Sequence, residues 1–117
     1  MKNNNFEDGI SVMINNNPFP DDDNMYPFAS ILNPVNGQSI SDTISVVGFA
    51  SDNHLVTQVQ FLIDNEIVST LNDTPYTFQW NTIELEYNSE HVLIMTAEDQ
   101  AGNITTAQPV LVNILNP

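Results

Sequence analysis

The sequence predicts an antiparallel all-β fold, a sandwich of about seven short strands. Three observations predict it. Apolar residues recur at period two in runs of a handful of residues. Clusters of Asn, Asp, Gly and Pro separate these runs at roughly 8–12-residue spacing. No 3.6-residue period lasts long enough to support a helix.

The elements follow in order. Residues 1–9 are polar and rich in asparagine. Ile10, Val12 and Ile14 then share one face at period two, which predicts a short strand over 10–14. Residues 15–27 hold Pro18, Pro20 and Pro27 around Asp21, Asp22 and Asp23. Prolines fix φ and adjacent aspartates repel, so this stretch is expected to be a stiff linker. The chain thus divides into an N-terminal extension, 1–27, and a domain, 28–117. Within the domain, 28–33 is a strand ended by Pro34 and the turn Asn36-Gly37. Residues 43–50 put Ile44, Val46, Gly48 and Ala50 on one face. Val59, Phe61 and Ile63 alternate with Gln58, Gln60 and Leu62, and Asp64-Asn65 supplies a two-residue hairpin turn into 66–71. Tyr76, Phe78 and Trp80 alternate next; then His91, Leu93, Met95 and Ala97; then Val110, Val112 and Ile114. The alternation implies sheets with one wet face each.

Composition excludes several functions. The 117 residues suit one domain with a core of its own. Asp and Glu total 15 against a single basic side chain, Lys2, for a net charge of −14. A chain without arginine cannot neutralise phosphates, which argues against nucleic acid and anionic membranes as partners. No run approaches the roughly 20 apolar residues of a membrane helix, so no membrane insertion is expected in this segment. Without cysteine there is no disulfide, thiolate nucleophile or Cys-based zinc site. The first residues lack an apolar signal-peptide region, which fits an internal protein or a piece of a longer one.

The stretches Asn33-Pro34-Val35-Asn36-Gly37, Ala50-Ser51-Asp52-Asn53, Val59-Gln60-Phe61-Leu62-Ile63-Asp64, Pro75-Tyr76-Thr77-Phe78-Gln79-Trp80-Asn81-Thr82 and Ala97-Glu98-Asp99-Gln100-Ala101-Gly102-Asn103 occur in that order over about 28–115. In this the chain resembles the bacterial Ig-like domains found in tandem on surface and secreted proteins. Two turns depart from the family pattern: Asn65 stands where glycine is usual, and Ser89 follows Asn88 where Asn-Gly is usual. The resemblance implies an Ig-like β-sandwich serving as spacer, adhesive or accessory module, with no catalytic role and an extracellular or cell-surface location. A further echo comes from the chain itself. Val12-Met13-Ile14-Asn15-Asn16-Asn17-Pro18 parallels Val112-Asn113-Ile114-Leu115-Asn116-Pro117 about one domain length apart. The simplest account makes residues 10–17 the last strand of a preceding repeat; chance in an Asn-rich chain is the other.

Each candidate site has a plain structural alternative. His54 falls in a loop and His91 on a strand, where the family commonly has a histidine with a structural role. No phosphate loop, nucleophile elbow or metalloprotease helix is present, so no enzyme activity is expected. The Ig-like arrangement brings the lead-in to the first strand to the same pole as the loops after the second and sixth. It would gather Asp21, Asp22, Asp23, Asp52, Asp99 and Asn103, hard oxygen donors from separate loops that suit calcium. The alternative is a solvated spacer beside turn residues that cap their own backbone. The row Tyr76, Phe78, Trp80 could stack a sugar but is expected in the core, with Trp80 ambiguous; Phe6, Phe19, Tyr26 and Tyr87 are the aromatics expected outside. Ile10, Val12 and Ile14 could be donated as a strand to the sheet edge of another copy, which repeated head to tail would build a homopolymer. The expected function is therefore a non-enzymatic module working with neighbouring Ig-like repeats or copies of itself. A self-assembling filament subunit is the first alternative and carbohydrate binding the second.

Overall fold

The computed structural model describes residues 25–116; the expected strand at 10–14 and the Asp21–Asp23 run lie outside them. Nine strands occur among the described residues: β1 Phe28–Asn33, β2 Gln38–Ile40, β3 Thr43–Ser51, β4 Val56–Ile63, β5 Glu66–Leu71, β6 Tyr76–Asn81, β7 Glu90–Asp99, β8 Ile104–Thr106 and β9 Val110–Ile114. They form two sheets. One has the order β1-β3-β6; the other has the order β2-β9-β7-β4-β5, with β8 also paired to β7. All pairings are antiparallel except β2 with β9, which is parallel.

The period-two faces meet in the core. Val46, Val59, Phe61, Leu93, Met95, Ala97 and Ile114 are fully buried between the sheets. Phe61 and Phe78 pack across them with centroids 5.2 Å apart. Gly48 is small for a reason: a Cβ there would meet Met95 Sδ at 2.7 Å and Phe61 Cζ at 2.8 Å. Tyr76 and Trp80 are each 8% exposed, so the aromatic row belongs to the core.

The hairpin expected at Asp64-Asn65 is present. Ile63 pairs with Glu66, and both turn residues have positive φ, 52° and 71°. That is the type I′ geometry whose twist matches the flanking strands. Asn88 is also left-handed, at φ 66°. Asparagine thus meets the backbone demand at position 65, where the sequence departs from the family pattern, and at position 88, while Ser89, the other departure, is not in the left-handed region.

The strands run between two poles. At one, the lead-in to β1, the β3–β4 loop and the β7–β8 loop converge: Asn103 Nδ2 donates to Met25 O at 3.4 Å, and Gln100 N donates to Leu55 O at 2.9 Å. At the other, the chain leaves β9 beside the β2–β3 turn. Leu115 N donates to Ile40 O, Asn116 Oδ1 accepts from Asp42 N, and Asn116 Nδ2 donates to Thr82 O. Thr82 is fully buried and its hydroxyl donates to Asp42 O at 2.7 Å.

Candidate functional site

At the lead-in pole, Asp99 ends β7 and is 1% exposed. Its Oδ1 accepts from Ala101 N at 3.0 Å and Asn103 N at 2.8 Å, and its Oδ2 accepts from Asn103 Nδ2 at 3.0 Å. A buried carboxylate needs such donors, and here the loop that follows supplies them. Asn103 in turn holds Met25 O, so the carboxylate indirectly fixes where the chain enters β1. Asp52 serves its own loop, accepting from His54 N at 3.1 Å. The structure therefore brings Asp99 and Asn103 into direct contact, with Asp52 at the same pole but bonded separately. Asp21, Asp22, Asp23, Ile10, Val12 and Ile14 lie outside the described residues. Among the described residues, no group of three or more His, Asp or Glu side chains is arranged to hold a metal ion.

A second constellation lies at the opposite pole. His91 Nδ1 is 2.6 Å from Asp64 Oδ2, and His91 Nε2 is 3.0 Å from Ser89 Oγ. The order carboxylate–imidazole–hydroxyl is that of a nucleophilic relay, but the surroundings are not. Ser89 Oγ already donates to Glu86 O at 2.6 Å, and Ser89 N is bonded to the same carbonyl at 3.1 Å. The hydroxyl is tied down and the adjacent amide is not free to stabilise an oxyanion. Trp80 closes one side of the imidazole, edge on at 6.2 Å. The cluster is a staple: Asp64 Oδ1 also accepts from Val92 N at 3.0 Å, and Asp64 N donates to Val92 O. Partial burial pushes the Asp64 carboxyl up. The His91 hydrogen bond, the Val92 N–H and the His91 charge more than offset that, so Asp64 sits below the ordinary carboxylate value.

The sequence marked His91 as structural without naming its partners. Asp64 and Ser89 were missed because only the β4–β7 register, Ile63 opposite Leu93, brings the hairpin turn level with His91. Two exposed aromatics were missed as well. Phe28 and Phe49 are 57% and 47% exposed on the outer face of the three-stranded sheet, with centroids 6.0 Å apart and planes tilted by 58°. Tyr26 and Tyr87 are exposed as expected; Phe6 and Phe19 lie outside the described residues.

Solved structures share this architecture at low identity. A fibronectin(III)-like module of CbhA from Clostridium thermocellum superposes with a TM-score of 0.66 at 18% identity, covering 75% of this chain and 96% of that one. The endo-β-1,4-mannanase of Thermotoga petrophila gives 0.66 at 16% identity, covering 84% of this chain and 22% of that one. The protein SGBP-B from the mixed-linkage glucan utilization locus of Bacteroides ovatus, solved with a mixed-linkage heptasaccharide, gives 0.56 at 20% identity, covering 81% and 25%. At such identities the likeness is one of fold. No curated protein matches the sequence. The sequence model described as Bacterial Ig domain matches residues 27–105, from the lead-in through the β7–β8 loop that Asp99 organises. The chain belongs to the bacterial Ig domain family.

Proposed function

We propose that the chain is a non-catalytic spacer or interaction repeat of an extracellular bacterial surface protein, joined end to end with neighbouring Ig-like modules. The observation that supports this most is where the chain enters and leaves the domain. The chain enters beside Asn103 and leaves beside Asp42 and Thr82, at opposite ends of β3. β3 has nine residues, so each module adds about 30 Å to a line of modules. Both ends are pinned by hydrogen bonds, which suits transmission of position from one module to the next. The acidic surface adds mutual repulsion and solubility.

Light scattering on the purified chain tests this. A single species near 13.0 kDa is the expected result. Open-ended, concentration-dependent oligomers would overturn it in favour of a filament subunit. Substituting Val12→Asp and Ile14→Asp would then abolish the assembly. Calcium belongs to the same proposal as a stiffener, drawing on Asp52 and the aspartates before Met25. Its test is a rise in melting temperature on adding calcium that is lost when Asp21, Asp22 and Asp23 become Asn. A second reading, contact with a neutral glycan, is favoured by the exposed Phe28–Phe49 pair. It predicts that the double substitution to Ala removes retention of the protein in a polysaccharide affinity gel.

A further inference from the structure

The Asp64–His91–Ser89 staple has two proton arrangements. Ser89 has one hydroxyl proton and two acceptors within reach, Glu86 O at 2.6 Å and an unprotonated His91 Nε2 at 3.0 Å. A protonated Nε2 instead donates to Ser89 Oγ and leaves the hydroxyl proton to Glu86 O. On the other side of the ring, Nδ1 faces a carboxylate oxygen at 2.6 Å and donates to it in both arrangements. With both nitrogens donating the ring is an imidazolium; with Nδ1 alone donating it is neutral.

We infer that His91 is a proton-operated clamp, tying the β4–β5 turn to the β6–β7 loop when charged and releasing one closure of that loop when neutral. The release has a defined route. Once Nε2 loses its proton it becomes an acceptor, and the nearest donor is Ser89 Oγ. The hydroxyl then turns from Glu86 O to Nε2, and that carbonyl keeps only the Ser89 amide. The loop in question holds the end of β9. Asn88 N donates to Ile114 O at 2.6 Å, Ile114 N to Ser89 O at 2.9 Å, and Asn113 Nδ2 to Asn88 Oδ1 at 3.0 Å. The proton on His91 thus sets how firmly the exit strand is held.

The setting carries no basic group. The ionisable groups of the turn, loop and strands around the ring are Asp64, Glu66, Glu84, Glu86, Tyr87 and Glu90, with Tyr76 at the far end of β6 and Glu98 and Asp99 at the far end of β7, while β9 contributes none. The ring is partly exposed, at 16%, so it can exchange protons with solvent. The inference does not depend on whether the domain serves as a spacer.

The test is amide exchange by NMR across the pH range in which the His91 ring resonances titrate, with rates corrected for intrinsic base catalysis. Protection of the Asn88 and Ile114 amides should fall about threefold to tenfold, the effect of one hydrogen bond, with the midpoint of the His91 titration. In Ser89→Ala the step should vanish while Val92, bonded to Asp64, keeps its protection. Ser89→Thr should retain the step, and His54→Gln should leave it unchanged. Flat protection through the His91 titration, or a step that survives in Ser89→Ala, would overturn the inference. The wild-type scan decides even if a variant fails to fold.

Discussion

Asp99 shows how much one side chain can organise. Its carboxylate takes three N–H donors from Ala101 and Asn103, and Asn103 passes the constraint to the lead-in. Asp99→Ala strands those donors in a buried site and should cost about 3 kcal/mol, measured by urea unfolding. Asp64 acts at the other pole and has a pH signature. Its carboxyl lies below the ordinary value in the fold, so its contribution is fully present above the unfolded carboxylate range and is lost as pH falls through the folded value. Asp64→Asn should flatten that acid limb in unfolding curves taken from neutral to acid pH; an unchanged limb would assign the acid sensitivity elsewhere. Gly48 is constrained by space. Gly48→Ala drives a Cβ into Met95 and Phe61 and should cost about 1–3 kcal/mol in the same assay.

The elements differ in how legible they were. The type I′ turn at Asp64-Asn65 was, since its two residues tolerate positive φ and flank alternating runs. Asn65→Ala should therefore destabilise the hairpin by about 1 kcal/mol, while Asn65→Gly should not, as thermal melts would show. The long strands β3, β4 and β7 were equally plain, because each turns a run of apolar residues at period two toward the core. β2 and β8 were not. Each has three residues, too few for a period to register, and each is defined by the strand it joins: β2 by Val112–Ile114, β8 by Thr96–Glu98. The meeting of lead-in, β3–β4 loop and β7–β8 loop followed from the family's arrangement, and the bonds at Met25 and Leu55 bear it out. The staple partners escaped for the same reason as β2. Asp64 and His91 are 27 residues apart and meet only through strand register.

At the scale of the whole molecule, the two pinned poles suit the proposed use as a rod segment. Two copies joined in tandem should show, by small-angle scattering, a maximum dimension greater by about 30 Å or more than that of one copy. A compact dimer of unchanged length would contradict end-to-end stacking. The parallel pairing of β2 with β9 has a mechanical consequence. Tension applied through Met25 and Asn116 draws the two strands along their own axes in opposite senses. Their hydrogen bonds lie across that direction, so they are loaded in shear and must yield together, instead of opening one after another like a zipper. A module built this way resists being pulled apart end to end more strongly than its equilibrium stability alone would suggest. A three-residue strand that the sequence hides is then one that carries load, in series with the β1–β3 pairing that the same tension reaches first.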